Sequence, residues 1–324
     1  MCKICNTTNI KRINKSTSIS LEFCKTVEKI PNGLDKIIGL ECMNSNLTVL
    51  PDDMVNLKWL VCEGSKLLTR LPNCLSKIDQ LRCNCCYGLK EIPNNLYMLR
   101  YLECNGCINI IHIPKLVNLK HIVCTYCENL LTISNELVNV NHLNCERCPN
   151  LKEIPKDLIN VDFIDCTSCL NLKEIPKELV NLKTLGISFC PLIKEIPKTL
   201  VNLEKLYCCK TDITEIPKEL VNLIGIACMD CPNIKYIPNF KNLEWIGCSN
   251  CPKLTFAPTH LLKNDQETLY IIENNYQKYR KEGCKQLVNT ILEELIARTW
   301  EPIRAMKWCW DDEEKRFMSD YKLI

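Results

Sequence analysis

The stretch IPKDLINVDFIDCTSCLNLKEIP, residues 154–176, contains one complete unit of a pattern that fills most of this chain. Its apolar residues follow the form L-x-x-L-x-C-x-x-C-x-x-L-x-x-I-P from the central valine onward. The apolar residues are three positions apart except for Ile164 and Cys166, which are two apart and flank Asp165. Such alternation of apolar and polar residues is typical of a short strand with one buried face. The LKEIP segment contains a proline and apolar residues three apart, which favours an irregular or one-turn helical return path.

The same unit recurs at a nearly constant period. Its apolar-proline step returns every 20 or 21 residues, and Ser134 replaces the proline in one unit. The other units are marked by Pro31, Pro51, Pro72, Pro93, Pro114, Pro155, Pro176, Pro197, Pro217, Pro238 and Pro258. This period predicts a solenoid of eleven units over residues 31–258, with residues 10–30 forming a degenerate twelfth unit in front.

The unit resembles the leucine-rich repeat motif L-x-x-L-x-L-x-x-(N/C)-x-L, with cysteine in place of the third leucine. The resemblance covers about residues 10–258 and implies an α/β solenoid, a leucine-rich repeat superhelix with a concave parallel β-sheet and a small helical C-terminal cap. It divides the chain into an N-terminal segment with a degenerate capping repeat (1–30), eleven repeats (31–258) and a helical cap or docking element (259–324). Repeats followed by a short helical tail are also similar to leucine-rich repeat proteins of large DNA viruses. The chain departs from the family in its cysteines and in the near loss of the asparagine that often forms a hydrogen-bonded ladder.

Two rows of cysteines recur in register with the repeat. The first cysteine row is Cys42, Cys62, Cys83, Cys104, Cys124, Cys145, Cys166, Cys208, Cys228 and Cys248, with Ile187 in the gap. The second cysteine row is Cys86, Cys107, Cys127, Cys148, Cys169, Cys190, Cys231 and Cys251, with Ser45, Ser65 and Thr211 in the other units. Because the first row accepts isoleucine, we expect it to be buried and apolar. Because the second row accepts serine and threonine, we expect a small donor that reaches a backbone carbonyl. Both rows are interpreted as structural, and a thiol-based metal store is the alternative.

The outward residues of successive strands are expected to form one continuous concave surface, since they support no core and are free to vary. Aromatic and imidazole side chains lie in the middle of this surface, and acids border them. The predicted anchors for a partner are Trp59, Tyr101, His121, His142 and Phe163, with Glu103 and Asp165 setting the charge preference. The alternative is that these rings only pack on one another on a crowded sheet.

Composition and charge narrow the class of partner. The 41 Lys+Arg against 38 Asp+Glu leave a net charge of +3, and Arg82 and Lys205 are the only bases of the two outward rows, so no nucleic acid is expected. No apolar run approaches the roughly 18 residues that span a bilayer, and no secretion signal is evident. The sequence therefore predicts a non-enzymatic, cytoplasmic module that binds another protein, with no membrane, no cofactor, no metal and no small-molecule substrate.

After Pro258 the period stops. Asn264 followed by Glu267 predicts a helix to about Lys281. A second helical stripe is formed by Leu287, Val288, Ile291, Leu292 and Leu295. The Cys309-Trp310-Asp311 sequence is similar to the C-x-D motif of bacterial leucine-rich-repeat ubiquitin ligases, although the segment is too short for that family's catalytic domain. The alternative function is therefore an adaptor or effector in ubiquitin transfer that acts through this C-terminal segment.

Overall fold

The computed structural model describes residues 17–262 and 265–281, which contain fourteen short strands, one 3-10 turn at Thr259–Leu261 and one α-helix. In chain order the strands are β1 (Ser18–Ser20), β2 (Gly39–Glu41), β3 (Trp59–Val61), β4 (Gln80–Arg82), β5 (Tyr101–Glu103), β6 (His112–Ile113), β7 (His121–Val123), β8 (Thr132–Ile133), β9 (His142–Asn144), β10 (Phe163–Asp165), β11 (Thr184–Gly186), β12 (Lys205–Tyr207), β13 (Gly225–Ala227) and β14 (Trp245–Gly247). Strands β6 and β8 pair with each other, and the other twelve form one parallel sheet in sequence order. The predicted solenoid is confirmed.

The core follows from the alternation within each three-residue strand. In β9 the central Leu143 is fully buried, whereas His142 and Asn144 on either side of it remain partly exposed. Strands pair in register, so that His142 lies opposite Phe163 and Leu143 lies opposite Ile164. The central residues therefore stack into one apolar spine, and each unit buries its leucines against its neighbours.

A left-handed turn follows most strands. Arg147 and Ser168 have φ angles of 56° and 62°, and equivalent residues in the other units also have positive φ. The turn directs the Arg147 N–H to the carbonyl oxygen of Thr167 in the next unit at 2.7 Å. This conformation costs a residue with a side chain roughly 1–2 kcal/mol. The ladder bond to the next unit offsets part of that cost.

The return path to the next strand is irregular. Over the described repeats it consists of turns and extended segments, without the one-turn helix that the LKEIP segment allowed. The short β6–β8 pair and isolated bridges such as Tyr236 to Phe256 link neighbouring units on this side. Proline at the repeated step removes an amide donor, which limits longer pairing there.

Asparagine ladders run along the return path, whereas the motif position that often carries an asparagine is occupied by the second cysteine row, as the sequence indicated. The Asn160 Nδ2 group donates to the Val138 carbonyl of the preceding unit at 2.8 Å, and Asn181 makes the same bond to Ile159. Equivalent bonds come from Asn56, Asn118, Asn139, Asn202 and Asn222, and a second set from Asn109, Asn129 and Asn150. Asparagines of the first set directly precede a buried apolar residue ahead of the next strand, and those of the second set lie two residues after a second-row cysteine.

Helix α1 (Gln266–Lys281) follows the last repeat. The Asp265 carboxylate accepts hydrogen bonds from the backbone N–H of Thr268 at 3.0 Å and from its hydroxyl at 2.6 Å. Asp265 therefore caps the helix, one residue after the predicted Asn264, which lies outside the described residues. The predicted helix is present as far as Lys281, the last residue that the structure describes.

The helix packs on the last repeat. Ile272 is buried, and the Asn275 Nδ2 group donates to the carbonyl oxygens of Pro252 and Leu254, each at 2.9 Å. The helix thus covers part of the open end of the apolar core, as a solenoid requires. The predicted second helix and the Cys309-Trp310-Asp311 motif lie outside the described residues, as do residues 1–16.

Candidate functional site

Three rows of side chains form the concave face. In each strand of the twelve-stranded sheet, the first residue belongs to the ring row and the third to the middle row. The turn row lies two positions further on, where alternation continues past the strand. The predicted site residues fall in two of these rows. Trp59, Tyr101, His121, His142 and Phe163 belong to the ring row, and Glu103 and Asp165 belong to the middle row.

Four neighbouring residues of the ring row form one continuous stack, which we call the ring stack. The ring centroids of Tyr101 and His121 lie 5.7 Å apart, those of His121 and His142 4.8 Å, and those of His142 and Phe163 4.3 Å. The last pair is nearly parallel, at 6°. Each ring remains partly exposed. The rings therefore pack on one another and still present their outer edges on the concave face.

Burial within the stack lowers the pKa of His142 below its usual value. The positive charge that His121 can carry lowers it further, and Asp162 acts in the opposite direction. His142 is consequently neutral at physiological pH, which suits a ring that stacks between an imidazole and a phenyl group.

Trp59 lies apart from the ring stack. Gln80 occupies the strand between Trp59 and Tyr101. The indole covers Gly39 of the preceding strand so closely that an added Cβ would come within 2.0 Å of it. Glycine at position 39 thus provides the space in which the indole lies flat on the sheet.

A third aromatic patch lies near the C-terminal end of the sheet. Trp245 covers Gly225 in the same way, with 2.0 Å between its ring and an added Cβ, and the Tyr207 ring lies 5.8 Å from the indole. This patch was not among the predicted site residues. The sequence feature that could have identified this patch is a glycine in the ring row one unit before a tryptophan, as with Gly39 and Trp59.

Glu103 is held by side chains of its own chain. It accepts hydrogen bonds from the Tyr101 hydroxyl and from the Asn84 Nδ2 group, the latter at 3.2 Å, and Arg82 Nε lies 3.6 Å from it. Burial raises the pKa of Tyr101, and the bond to Glu103 adds to this effect. Glu103 therefore fixes the hydroxyl of Tyr101 at one end of the ring stack.

Two carboxylates lie close together at the other end of the ring stack. Asp165 accepts the Thr167 N–H at 2.9 Å and lies over Gly186, where an added Cβ would be 2.6 Å from Oδ1. Burial raises the pKa of Glu146 in the turn row, and the negative charge of Asp165 raises it further. Arg147, whose Nε is 3.3 Å from Glu146, acts in the opposite direction without cancelling the shift.

The cysteine rows lie beneath this face, and both predictions about them are confirmed. All first-row cysteines are buried. In the second row, Cys148 Sγ donates to the carbonyl oxygen of Cys124 at 3.0 Å, and Cys169 Sγ donates to that of Cys145 at 3.2 Å. Cys86, Cys107, Cys127, Cys190, Cys231 and Cys251 make the same bond, as does the Ser65 hydroxyl to Cys42 at 2.6 Å. The rows therefore form a cysteine ladder that joins most units to the preceding one, whereas the Thr211 hydroxyl donates to the Cys208 carbonyl of its own unit at 2.7 Å.

Burial makes most of these thiols poor nucleophiles. It raises the pKa of Cys208 well above its usual value, and outside the two rows it raises that of Cys209 to about 12. Cys231 differs, because its interaction with the Cys208 side chain lowers its pKa to about 7, but it is fully buried. Every cysteine in the described part of the chain is a free thiol.

The residues that the structure describes contain neither a metal-binding cluster nor a membrane-spanning helix. Over these residues no group of three His, Cys, Asp or Glu side chains has an arrangement that could hold a metal ion. Nor does this part of the chain contain a helix with the length and apolar character needed to cross a bilayer.

The chain's sequence matches no protein-family profile and no curated protein. Its structure is similar to the functional domain of InlJ from Listeria monocytogenes, which includes a cysteine ladder, with a TM-score of 0.55, 22% identity, and coverage of 77% of this chain and 66% of that one. The chain has the leucine-rich repeat fold. Other similar structures are the leucine-rich repeat domain of the type III effector XopL (TM-score 0.46, 18% identity, 66% of this chain and 76% of that one) and the Toll–Spatzle complex from Drosophila (0.47, 16%, 67% and 36%). At these identities the likeness concerns the fold alone.

In this leucine-rich repeat fold the concave face is one row wider than predicted. Side chains of the turn row bond along the face, since the Asn84 Oδ1 atom accepts the Asn105 N–H at 2.9 Å and the Asn105 Oδ1 atom accepts the Thr125 N–H at 2.8 Å. Glu146 belongs to the same row. The strand alternation, continued by one step, would have identified these residues in the sequence.

Proposed function

We propose that this leucine-rich repeat chain is a non-enzymatic module that binds another protein on its concave face. The ring stack carries the proposal, because four stacked rings are held rigidly and partly exposed in the middle of a broad sheet. Aromatic anchors of this kind bury a large area and lose little conformational entropy on binding. The anchors are Trp59, Tyr101, His121, His142 and Phe163, with Glu103 and Asp165 setting the charge preference.

The surface chemistry favours a protein over a nucleic acid. Arg82 and Lys205 are the only lysine or arginine residues in the ring and middle rows, and Arg82 already lies beside Glu103. A nucleic-acid groove needs an excess of positive charge along its length. The ring stack also runs along an open sheet, whereas small-molecule sites are concave pockets that enclose most of the ligand.

The proposed setting is the cytoplasm, where the free thiols of the cysteine ladder remain reduced. No cofactor enters the proposed function. The similarity to leucine-rich repeat proteins of large DNA viruses remains an expectation from the repeat pattern and the tail.

The test is affinity capture from a reducing cytosolic extract. The test variant is Trp59→Ala/Tyr101→Ala/Phe163→Ala. The matched control is Tyr97→Ala/Leu170→Ala/Leu192→Ala, which removes side chains of 60%, 49% and 42% exposure that lie away from the concave face. We expect the control to retain the captured proteins and the test variant to lose about tenfold or more of them, the loss typical of central aromatic anchors. Equal capture by both variants, with both folded by circular dichroism, would exclude the concave face as the binding surface.

A truncated chain that ends at Lys281 and keeps the capping helix distinguishes binding by the concave face from the alternative role in ubiquitin transfer. If the concave face binds the partner, this chain captures the same proteins as the intact chain. If the partners are lost on this truncation and retained by the triple alanine variant, the recognition element is the segment 282–324. A test for a thioester between Cys309 and ubiquitin would then be the next measurement.

A further inference from the structure

We propose that the partner places a positively charged, extended segment across the ring stack, with its lysine or arginine side chains directed at the carboxylates beside the stack. This inference rests on the proposed function and adds the chemistry of the partner. It follows from the charges that surround the stack and from how the chain's own arginines are used.

The charge around the ring stack is one-sided. The ring, middle and turn rows of the four strands β5, β7, β9 and β10 include three carboxylates and neither lysine nor arginine. The carboxylates are Glu103, Glu146 and Asp165. The other positions of these rows are rings, Val123 or uncharged polar side chains. A ligand that covers the rings therefore meets negative charge along one flank.

The chain's own arginines leave this charge incompletely neutralised. Of the three carboxylates, Arg82 approaches Glu103 alone, and its guanidinium also lies 5.6 Å from the centre of the Tyr101 ring. Arg147 is shared, because its guanidinium lies 4.7 Å from the centre of the Tyr126 ring and also bonds the Tyr126 hydroxyl. The pair of Glu146 and Asp165 at the Phe163 end therefore retains the larger unbalanced charge.

The opposite flank of the stack shows no such excess. The residues that precede the four strands are Arg100, Lys120, Asn141 and Asp162. Arg100 makes a two-bond ion pair with Asp79, so that its charge is already matched. A bound segment is therefore oriented by the flank of Glu146 and Asp165.

Geometry fits an extended segment. The ring stack crosses four neighbouring parallel strands, which places its ends about 14 Å apart at roughly 4.8 Å per strand. That distance corresponds to about four residues of extended chain. Apolar or aromatic side chains of such a segment would lie against the ring edges, and alternate basic side chains would reach the middle and turn rows. Charge complementarity of this kind selects partners and speeds their association.

The experiment selects a random-peptide phage library on the immobilised full-length chain in reducing buffer. The test variant is Glu146→Gln/Asp165→Asn, which keeps the shapes of both side chains. The control is Glu174→Gln/Glu195→Gln, which removes two exposed carboxylates of the return path. A fourth protein, Tyr101→Ala/Phe163→Ala, reports on the ring stack. Thermal unfolding of each variant verifies the fold.

We expect peptides recovered on the intact chain and on the control to contain about twofold more lysine and arginine than the unselected library. This excess should vanish on Glu146→Gln/Asp165→Asn, and the affinity of a recovered peptide, measured by fluorescence anisotropy, should fall as salt is raised. Recovered peptides without a basic excess, or with the same excess on the test variant, would overturn the inference.

The outcomes separate this inference from the proposed function. If peptides depend on Tyr101 and Phe163 but show no basic excess, the concave face binds proteins and the charge assignment is wrong. If recovery is unaffected by any of the variants, or if the intact chain enriches nothing over the bare matrix, both proposals fail.

Discussion

The cysteine rows and the ring row are both periodic, yet they repeat in different ways. In the second cysteine row the same small donor returns in unit after unit and makes the same bond, as Cys148 does to Cys124 and Cys169 does to Cys145. In the ring row the position returns but the side chain changes, from Trp59 through Tyr101 to Phe163. A position that needs one chemistry in every unit supports the solenoid, whereas a position that tolerates any side chain is available for binding.

The largest expected difference concerns adjacent residues on opposite faces of one strand. Leu143→Ala should lower the free energy of unfolding by about 2–5 kcal/mol, because it leaves a cavity in the apolar spine. His142→Ala should cost at most about 1.5 kcal/mol, since it removes ring contacts at a partly exposed position. Chemical denaturation of both variants measures the difference, and equal losses would contradict the assignment of the two faces.

The two cysteine rows should differ when cysteine is replaced by serine. Cys145→Ser should destabilise the chain by about 1–3 kcal/mol, because it buries a hydroxyl at an apolar position. Cys148→Ser should cost below about 1 kcal/mol, since the Ser65 hydroxyl already makes the equivalent bond in another unit. Melting temperatures of the two variants test this order. A Cys145→Ser variant as stable as the parent would contradict the buried, apolar assignment of the first row.

The ring stack should contribute a smaller, pairwise energy. A double-mutant cycle of His142→Ala and Phe163→Ala should give a coupling energy of about 0.5–1.5 kcal/mol, because their rings are 4.3 Å apart and nearly parallel. A cycle of His142→Ala with Trp245→Ala is the control and should give no coupling, since Trp245 belongs to a separate patch. Coupling of similar size in both cycles would mean that the rings act through the whole sheet and not by contact.

The fold could be predicted from the sequence because one period fixes most of it. The spacing of Ile164 and Cys166 gave the strand, and its recurrence gave the sheet and both cysteine rows. The asparagine ladder was also readable in principle, but Asn160 and its equivalents lie in a part of the unit that was interpreted as an irregular return path. Its bonds depend on how closely successive return paths approach each other, and the period does not give that distance.

The candidate site could be predicted only in outline. Alternation placed the predicted anchors and acids in the ring and middle rows, but it could not tell which rings touch. Trp59 lies over Gly39 and outside the stack, and Glu103 is engaged by Tyr101 and Arg82. These are side-chain conformations, which depend on neighbours one unit away. Glu146 was missed because the strand pattern was followed for three residues and not for five.

The smallest expected effect is the change in the free energy of unfolding caused by Glu146→Gln. This substitution on the concave face should stabilise the chain, whereas substitutions in the cysteine ladder should destabilise it. The folded state raises the pKa of Glu146, so its protonated form is the one that folding favours. A group of this kind contributes stability that is fully present below its unfolded pKa of about 4.3 and is lost as the pH rises through the folded pKa. Glu146→Gln should therefore raise the free energy of unfolding at pH 7, by less than about 1 kcal/mol for a partly exposed charge.

The same difference between Glu146→Gln and the parent should shrink as the pH falls to about 4, where the parent carboxyl group becomes neutral in both states. Denaturation of both proteins at the two pH values measures it, and Glu174→Gln is the exposed control. A loss of stability at pH 7 would mean that the ion pair with Arg147 is the main role of Glu146. A gain would mean that the chain retains a carboxylate that its own fold disfavours. First-row cysteines such as Cys166 and Cys208 should give no such gain at pH 7, because the fold raises their pKa further above 7 and the thiols are neutral there in both states.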